Sequence, residues 1–310
     1  MILDSLNKEQ IGLLGEISDP SVFGGEGAYN LRLNGHGVML HDTGNIEIVP
    51  KDGGIGIDVY IRPGTVDETV HIPVIISQSG LKETVFNDFH VGEGCDVTII
   101  AGCGIHNAGD LESMHSGVHS FYVGKNARVK YIEKHVGSGG RAMRTMNPTT
   151  YAEIGEGGYM EMNTVQIRGV DEASRKTTAV VEKGGTLVIS EKIMTDEKQS
   201  AKTEFTVDLN GEDSGAHVVS RSVARGESRQ IFISDVRGNS RCSARTECDA
   251  IVMDGANVSA VPKISANVPE ASLVHEAAIG KIAGEQLIKL MTLGLTEKEA
   301  EEEIISGFLK

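Results

Sequence analysis

Four cysteines, a scatter of histidines and one His-Glu pair are the residues of this chain whose types could do chemistry. Cys103 is followed at short range by His106, and then by His115 and His119. Thiolate and imidazole together suit zinc, copper or iron. The spacing lies near zinc patterns without matching a standard one, and scattered core or surface histidines are the plainer reading. Cys242 and Cys248 are too far apart for a redox Cys-x-x-Cys pair. They share parity, so on a strand both would face one side, and Arg245 between them would favour a thiolate. For any single cysteine the plain alternative is a buried small hydrophobe. His275-Glu276 joins an imidazole to a hard oxygen ligand. It stands where a glycine-punctuated chain changes to helical spacing, a place where a histidine is also commonly a capping or hydrogen-bonded residue.

These residues need elements to hold them, and a repeat supplies the elements. An aliphatic residue, a small or turn-forming centre and a second aliphatic residue recur as Val91–Val97, Val123–Val129, Ile154–Met160, Val181–Leu187 and Val252–Val258. The first four copies start 32, 31 and 27 residues apart, and a looser copy begins at Leu209. Gly or Asn at the centre suits a turn with positive φ. Alternating apolar residues after each turn read as strands. Self-similarity near 30 residues with strands in each copy is the mark of a solenoid. With no helix between copies, a parallel β-helix fits better than helical or leucine-rich arrays. A β-sandwich with periodic hairpins is the alternative, because Asn-Gly and Gly-Gly are also hairpin signals.

The ends differ from the middle. Ser5 to Ile17 reads as a short amphipathic helix. Ile279, Ile282, Leu287, Leu290 and Met291 have helical spacing, Gly294 supplies a stop, and Thr296 with Glu299 forms a capping box for a second helix to Phe308. A helical pair after a solenoid could cap its open end or face a partner. The expected organisation is an N-terminal helical segment over 1–30, a β-helix core over 31–270 and a C-terminal helical segment over 271–310.

Composition narrows the function. The 310 residues carry a formal charge of −15, which repels phosphate backbones and argues against nucleic acid as a partner. No apolar run approaches the roughly 20 residues that span a bilayer, and the acid-containing N-terminus does not read as a signal peptide. Cytoplasmic, reduced cysteines are the resulting expectation. A phosphate-binding Gly-x-x-x-x-Gly-Lys-[Ser/Thr] loop, a nucleophile elbow, a His-Glu-x-x-His motif and a dinucleotide fingerprint are all absent from the sequence. With no Trp and aromatics at 4%, a carbohydrate-binding groove is disfavoured.

The stretch His275–Ile282, with Glu285–Leu287, Met291–Ala300 and Ile305–Phe308, resembles the C-terminal signature of the SufB/SufD family of iron–sulfur cluster assembly scaffolds. Gly102-Cys103-Gly104, Ala127–Tyr131, Thr246–Asp249 and Asp254–Ala256 are similar to the family core. The resemblance runs over about residues 30 to 310. It implies a right-handed parallel β-helix with terminal helices, and an ABC-type ATPase resembling SufC bound through the C-terminal helices. By position, Cys248 matches the cysteine implicated in cluster assembly, Cys103 the cysteine at which sulfur enters, and His275 and Glu276 the groups near a dimer interface. Val274 stands where many relatives carry an acid, and the long N-terminal region of bacterial members has no counterpart. A compact homodimer is therefore expected rather than a heterodimer.

Together these readings give a scaffold rather than an enzyme. Persulfide sulfur on Cys103 would move through the β-helix interior to Cys248, and iron and sulfide would assemble where Cys248, His275 and Glu276 converge. The cluster would be transient and absent from protein isolated in air. ATP binding by the partner would move the C-terminal helices and open the site. The alternative is a β-helix that regulates an ABC-type ATPase and carries no cluster.

Overall fold

The computed structural model describes residues 5–310; the first four residues of the expected N-terminal segment lie outside it. The chain winds into a β-solenoid whose coils contribute strands alternately to two sheets of ten strands each. One sheet runs from Val66–Ile76 through Asp96–Asn107, Arg128–Gly139, Tyr159–Arg168, Thr186–Thr195, Ser214–Ala224 and Cys242–Val252 to Ser272–Gly280. The facing sheet runs from Lys82–Val91 through Ser113–Val123, the consecutive short strands Arg144–Met146 and Thr149–Ile154, Glu172–Val181, Ser200–Leu209 and Arg229–Gly238 to Asn257–Ala266. Neighbouring strands in these runs are parallel and largely in register. Parallel pairing of coils excludes the sandwich of hairpins.

The turns fall where the repeat places them. Gly94 and Asn126 have φ of 66° and 54°, and Gly157, Gly184 and Asp254 adopt the same left-handed region. Only residues that tolerate positive φ hold these corners cheaply. Each corner starts a strand whose residues alternate between the interior and solvent. Inward aliphatics such as Val97, Val129, Met160, Leu187 and Val218 stack coil upon coil into one core. Phe89 and Phe121 lie opposite them, their rings stacked with centroids 4.6 Å apart.

The N-terminal end is closed by two hairpins. His36–His41 pairs antiparallel with Ala28–Leu33, and Ile46–Pro50 pairs antiparallel with Gly56–Ile61. Helix α1, Lys8–Ile17, is started by an Asn7–Gln10 capping box. It lies outside the first sheet, with Leu13, Leu14 and Ile17 buried against Leu31 and Ile75.

The C-terminal end corrects two expectations. His275 does not stand at a helix junction: it sits mid-strand in Ser272–Gly280, and helix α2 begins only at Gly284 and runs to Thr292. Ala277, Ala278 and Ile279 suit a helix taken alone, but pairing of the whole segment with Cys242–Val252 outweighs that preference. Nor does the helical pair cap the solenoid. Helix α3, Glu297–Phe308, packs along the outside through Ile305 and Leu309 against Val223 and Ile251. The last coil is left uncovered among the described residues: its inward Val258, Ala260, Leu273 and His275 are only half-buried, where inward residues of earlier coils are buried. No helix among the described residues is long and apolar enough to cross a membrane.

Candidate functional site

Parallel register turns inward residues into rows that run along the solenoid, about 4.8 Å per strand. Cys103 lies in a row with Val74 on one side and His135, Gln166, Ile193 and Ser222 on the other. Cys248 lies one row over, reached from Ala101 through Glu133, Thr164, Glu191 and Ser220. Five strand spacings separate the two cysteine-bearing strands, a distance of about 24 Å. Both thiols face the interior, 1% and 2% exposed.

The interior between them is polar, which is rare in a packed β core and requires internal partners. Arg175 projects from the facing sheet into the middle of this space. It is paired with Glu133, donates from Nη2 to His135 Nδ1 at 3.4 Å, and lies 3.5 Å through Nε from Glu191. Glu191 also accepts from Thr203 Oγ1 at 3.0 Å and from Ser220 Oγ at 2.7 Å. Nearer Cys103, His119 Nδ1 lies 2.7 Å from the Tyr131 hydroxyl, and Asn87 Nδ2 is 3.4 Å from His119 Nε2. Three small voids of about 10 Å³ each follow this line. The first is walled by Cys103, His115, His119, Glu133 and His135. The second is walled by Gln166, Arg175, Glu191 and Thr203, and the third by Glu191, Thr203, Ser220, Gln230 and Cys248. Each has room for roughly one water-sized species.

Charge is balanced unevenly along the line. Burial opposes ionisation of Glu133, yet Arg175 and His135 hold its carboxyl well below the usual range. Burial raises Glu191 despite Arg175 and the two hydroxyl donors. Burial pushes His119 down to about 4, so its ring is neutral at physiological pH. Burial, with Glu83 and Glu133 adding repulsion, raises the Cys103 thiol well above its ordinary value. Burial, Glu191 and Asp249 push Cys248 up to about 12. Both sulfurs are therefore protonated at rest, and a nucleophilic thiolate requires the interior to open or a cation to arrive.

The line ends at the uncovered coil. His275 pairs with Thr246, two residues before Cys248, so Cys248 and His275 share the inner face of adjacent strands with backbones about 8 Å apart. Thr246 Oγ1 lies 2.6 Å from His275 Nδ1 and fixes the ring. The other nitrogen, Nε2, is buried and has no hydrogen-bond partner. An imidazole anchored through one nitrogen with the other free is how a metal-ligating histidine is presented. Burial lowers the ring's pKa, which keeps that nitrogen able to donate its lone pair.

Glu276 is not brought to this point. Alternation turns it outward, where Arg245 Nη2 holds it at 2.7 Å. Arg245 itself faces outward and also pairs with Glu247, so it gives no support to a Cys248 thiolate. His106 likewise leaves Cys103, since opposite parity turns it to Ser138 at 3.0 Å. Among the described residues no group of three or more His, Cys, Asp or Glu side chains is arranged to hold a metal ion within the one chain. Cys242 shares the inward face of Cys248, as parity requires. The charged residues of the interior, Glu133, His135, Arg175 and Glu191, were not singled out in the sequence. Counting alternation from the turns would have placed Glu133 and His135 inward from Val129, and Glu191 inward from Leu187.

Comparison with known proteins supplies the family. The description "SUF system FeS cluster assembly, SufBD core domain" matches residues 78–308, well over half of the chain. An iron-sulfur cluster assembly SufBD family protein of Archaeoglobus fulgidus is 31% identical over 231 residues, covering 74% of this chain and 61% of the relative. One from Methanocaldococcus jannaschii is 26% identical over 263 residues, covering 84% of this chain and 82% of the relative. One from Methanothermobacter thermautotrophicus is 30% identical over 247 residues, covering 76% of this chain and 57% of the relative. The chain thus spans about three fifths of the length of the first and third of these. On the solenoid and the match over its core and C-terminal helices, the chain belongs to the SufBD family of iron–sulfur cluster assembly proteins.

Proposed function

We propose that this protein is a scaffold on which iron and sulfide are put together, with Cys248 and His275 as the assembly point and Cys103 as the sulfur acceptor. The single observation that carries the reading is the unpartnered, buried Nε2 of His275 beside Cys248, at the end of a polar interior line that starts at Cys103. Thiolate is the natural ligand of iron–sulfur clusters, and imidazole is a known substitute. Two ligands per chain are too few to hold a cluster firmly. A second copy docked against the uncovered coil would bring a second Cys248–His275 pair, so a two-fold homodimer suits the reading. Glu276 becomes a ligand only if the Arg245 pair breaks.

An ABC-type ATPase is the proposed partner. Helix α2 exposes Ile288, Met291 and the following Leu293 at 64%, 43% and 75%, an apolar face open to solvent. Helix α3 then links that face to the site. It rests on Ile251, three residues beyond Cys248 in the same strand, and on Val223, the neighbour of Ser222. A pull on α2 and α3 would act on the strands that bury Cys248. The expected compartment is the cytoplasm, where the thiols stay reduced.

Anaerobic reconstitution with ferrous iron and sulfide tests the assembly point. Cluster absorbance and iron content should collapse in Cys248→Ser and fall in His275→Ala. Unchanged values in Cys248→Ser would end the proposal, whereas an unaltered chain that binds the ATPase but takes up no cluster would favour a cluster-free ATPase regulator.

A further inference from the structure

Cys103 is almost fully buried, so sulfur needs a way in. The outer face of its strand is sealed by α1: a Cβ on Gly102 would come within 2.8 Å of Ile17 Cβ, and one on Gly104 within 3.0 Å of Leu13 Cβ. The flanking walls are continuous hydrogen-bonded sheet. The C-terminal mouth lies beyond five further strand spacings. The N-terminal end is nearer. Arg32 pairs with Val74 and Val74 with Cys103, so Arg32 stands two spacings from the thiol's strand, about 10 Å away.

Arg32 opens on a cavity of about 330 Å³ under the two N-terminal hairpins, walled also by Asn30, Gly37, Met39, Gly54 and Ile57. Its side chain is 7% exposed. Nη1 donates to Gly54 O at 3.0 Å and Nη2 to Gly35 O at 2.9 Å, which fixes the guanidinium in the wall. Nε is buried and has no partner. On the inner side Arg32 Nη2 is 3.4 Å from Glu83, and Glu83 is 3.1 Å from His115. His115 lines the void that holds Cys103. A polar line therefore joins the cavity to the thiol. It carries a fixed cation with an unused donor at its outer end and a carboxylate–histidine pair within.

We propose that this cavity is the port by which sulfane sulfur reaches Cys103, and that it takes a small hydropolysulfide anion. This rests on Cys103 being the sulfur acceptor. The guanidinium selects negative charge, Gly37, Gly54 and Gly56 leave room beside it, and Val38, Met39, Leu40, Pro50 and Ile57 form the apolar part of the wall, which a weakly hydrated polysulfide anion tolerates. Transfer balances without a further reagent: Cys103–SH + HS–S⁻ → Cys103–S–SH + HS⁻. The thiol sulfur bonds to the donor's sulfane sulfur, the donor S–S bond breaks, and the remaining sulfur leaves as hydrosulfide. The thiol proton ends on one of the terminal sulfurs.

The full chain is incubated anaerobically with sodium polysulfide, and persulfide at Cys103 is followed by alkylation and mass spectrometry. Two variants are compared with the unaltered protein. Arg32→Gln removes the cation. Gly37→Phe fills the cavity, and a Cβ there meets nothing closer than Asn30 Oδ1 at 3.7 Å, so the fold can accept it. Both should slow Cys103 persulfidation tenfold or more while the melting temperature of Gly37→Phe stays near that of the unaltered chain. Rates within twofold of the unaltered chain in both variants would overturn the port, as would no persulfide at Cys103 in the unaltered protein. Cluster reconstitution at Cys248 from free iron and sulfide bypasses the port. Its survival in Gly37→Phe alongside unchanged Cys103 labelling would reject the port and leave the assembly site standing. Its survival in Cys248→Ser would end the assembly site, while slowed Cys103 labelling in both port variants would still support the port.

Discussion

Replacing Arg175 with methionine keeps most of the side chain's length and removes its charge. Arg175 holds Glu133 ionised inside the solenoid, where both side chains are at most 7% exposed. Without the guanidinium, Glu133 stays buried with His135 as its nearest basic partner and a neutral His119 beyond it. The carboxyl then takes up a proton to stay buried. Protonating a group of ordinary pKa about 4.3 at pH 7 costs about 3.7 kcal/mol, in line with the roughly 3–5 kcal/mol lost when a buried pair is broken from one side. The sign follows from linkage. In the variant the folded pKa of Glu133 lies above its unfolded value, so the penalty is absent below the unfolded pKa and grows as pH rises. The destabilisation should therefore be near 4 kcal/mol at pH 7 and fall to about 1 kcal/mol at pH 5. Urea denaturation followed by circular dichroism at both pH values measures it. Adding Glu133→Gln should recover most of the loss. A destabilisation below 1 kcal/mol, or one that does not change between pH 7 and pH 5, would refute the claim that Arg175 is the charge that keeps the middle of the line ionised.

Other expectations follow from the same interior. With its pKa at about 12, Cys248 has a thiolate fraction at pH 8 of about one in ten thousand, against roughly a quarter for an ordinary thiol. Its alkylation should be at least a thousandfold slower than that of a free cysteine, and Glu191→Gln should speed it, as read by mass spectrometry of the Cys248 peptide. His119, held down to about 4 by burial, binds its proton more readily when unfolded. Its contribution is present above the unfolded pKa of about 6.5 and is lost, by about 3 kcal/mol, as pH falls toward 4. His119→Asn should flatten the pH dependence of the melting temperature over that window. The uncovered coil is the proposed contact between two copies, so Val261→Lys should leave the fold intact and shift the species seen by light scattering from dimer to monomer.

The coils were legible because one corner chemistry repeats. Gly94, Asn126, Gly157 and Gly184 each need the left-handed region, and alternation after each corner fixes which residues face inward. The same alternation separates Cys248 and His275 from Glu276, a consequence hidden while His275 was read as the start of a helix. That misreading has a local cause: Ala277, Ala278 and Ile279 look helical in isolation, and only pairing with Cys242–Val252 makes them a strand. The C-terminal helices themselves were read from spacing and capping. Their lateral docking on Val223 and Ile251 was not legible, because nothing local in a helix says which surface it meets. The interior charges escaped for a different reason. Charged residues in strands normally face water, and only closure of two sheets around them turns Glu133, Arg175 and Glu191 into a buried line.

The central claim is that sulfur passes inside the solenoid from Cys103 to Cys248. It is tested most directly by loading the protein anaerobically with isotopically labelled sulfane sulfur and following the label at each cysteine over time. The account predicts label first at Cys103 and then at Cys248, with none at Cys248 in Cys103→Ser and a slowed second step in Arg175→Met. Label reaching Cys248 at the same rate in Cys103→Ser as in the unaltered chain would contradict it.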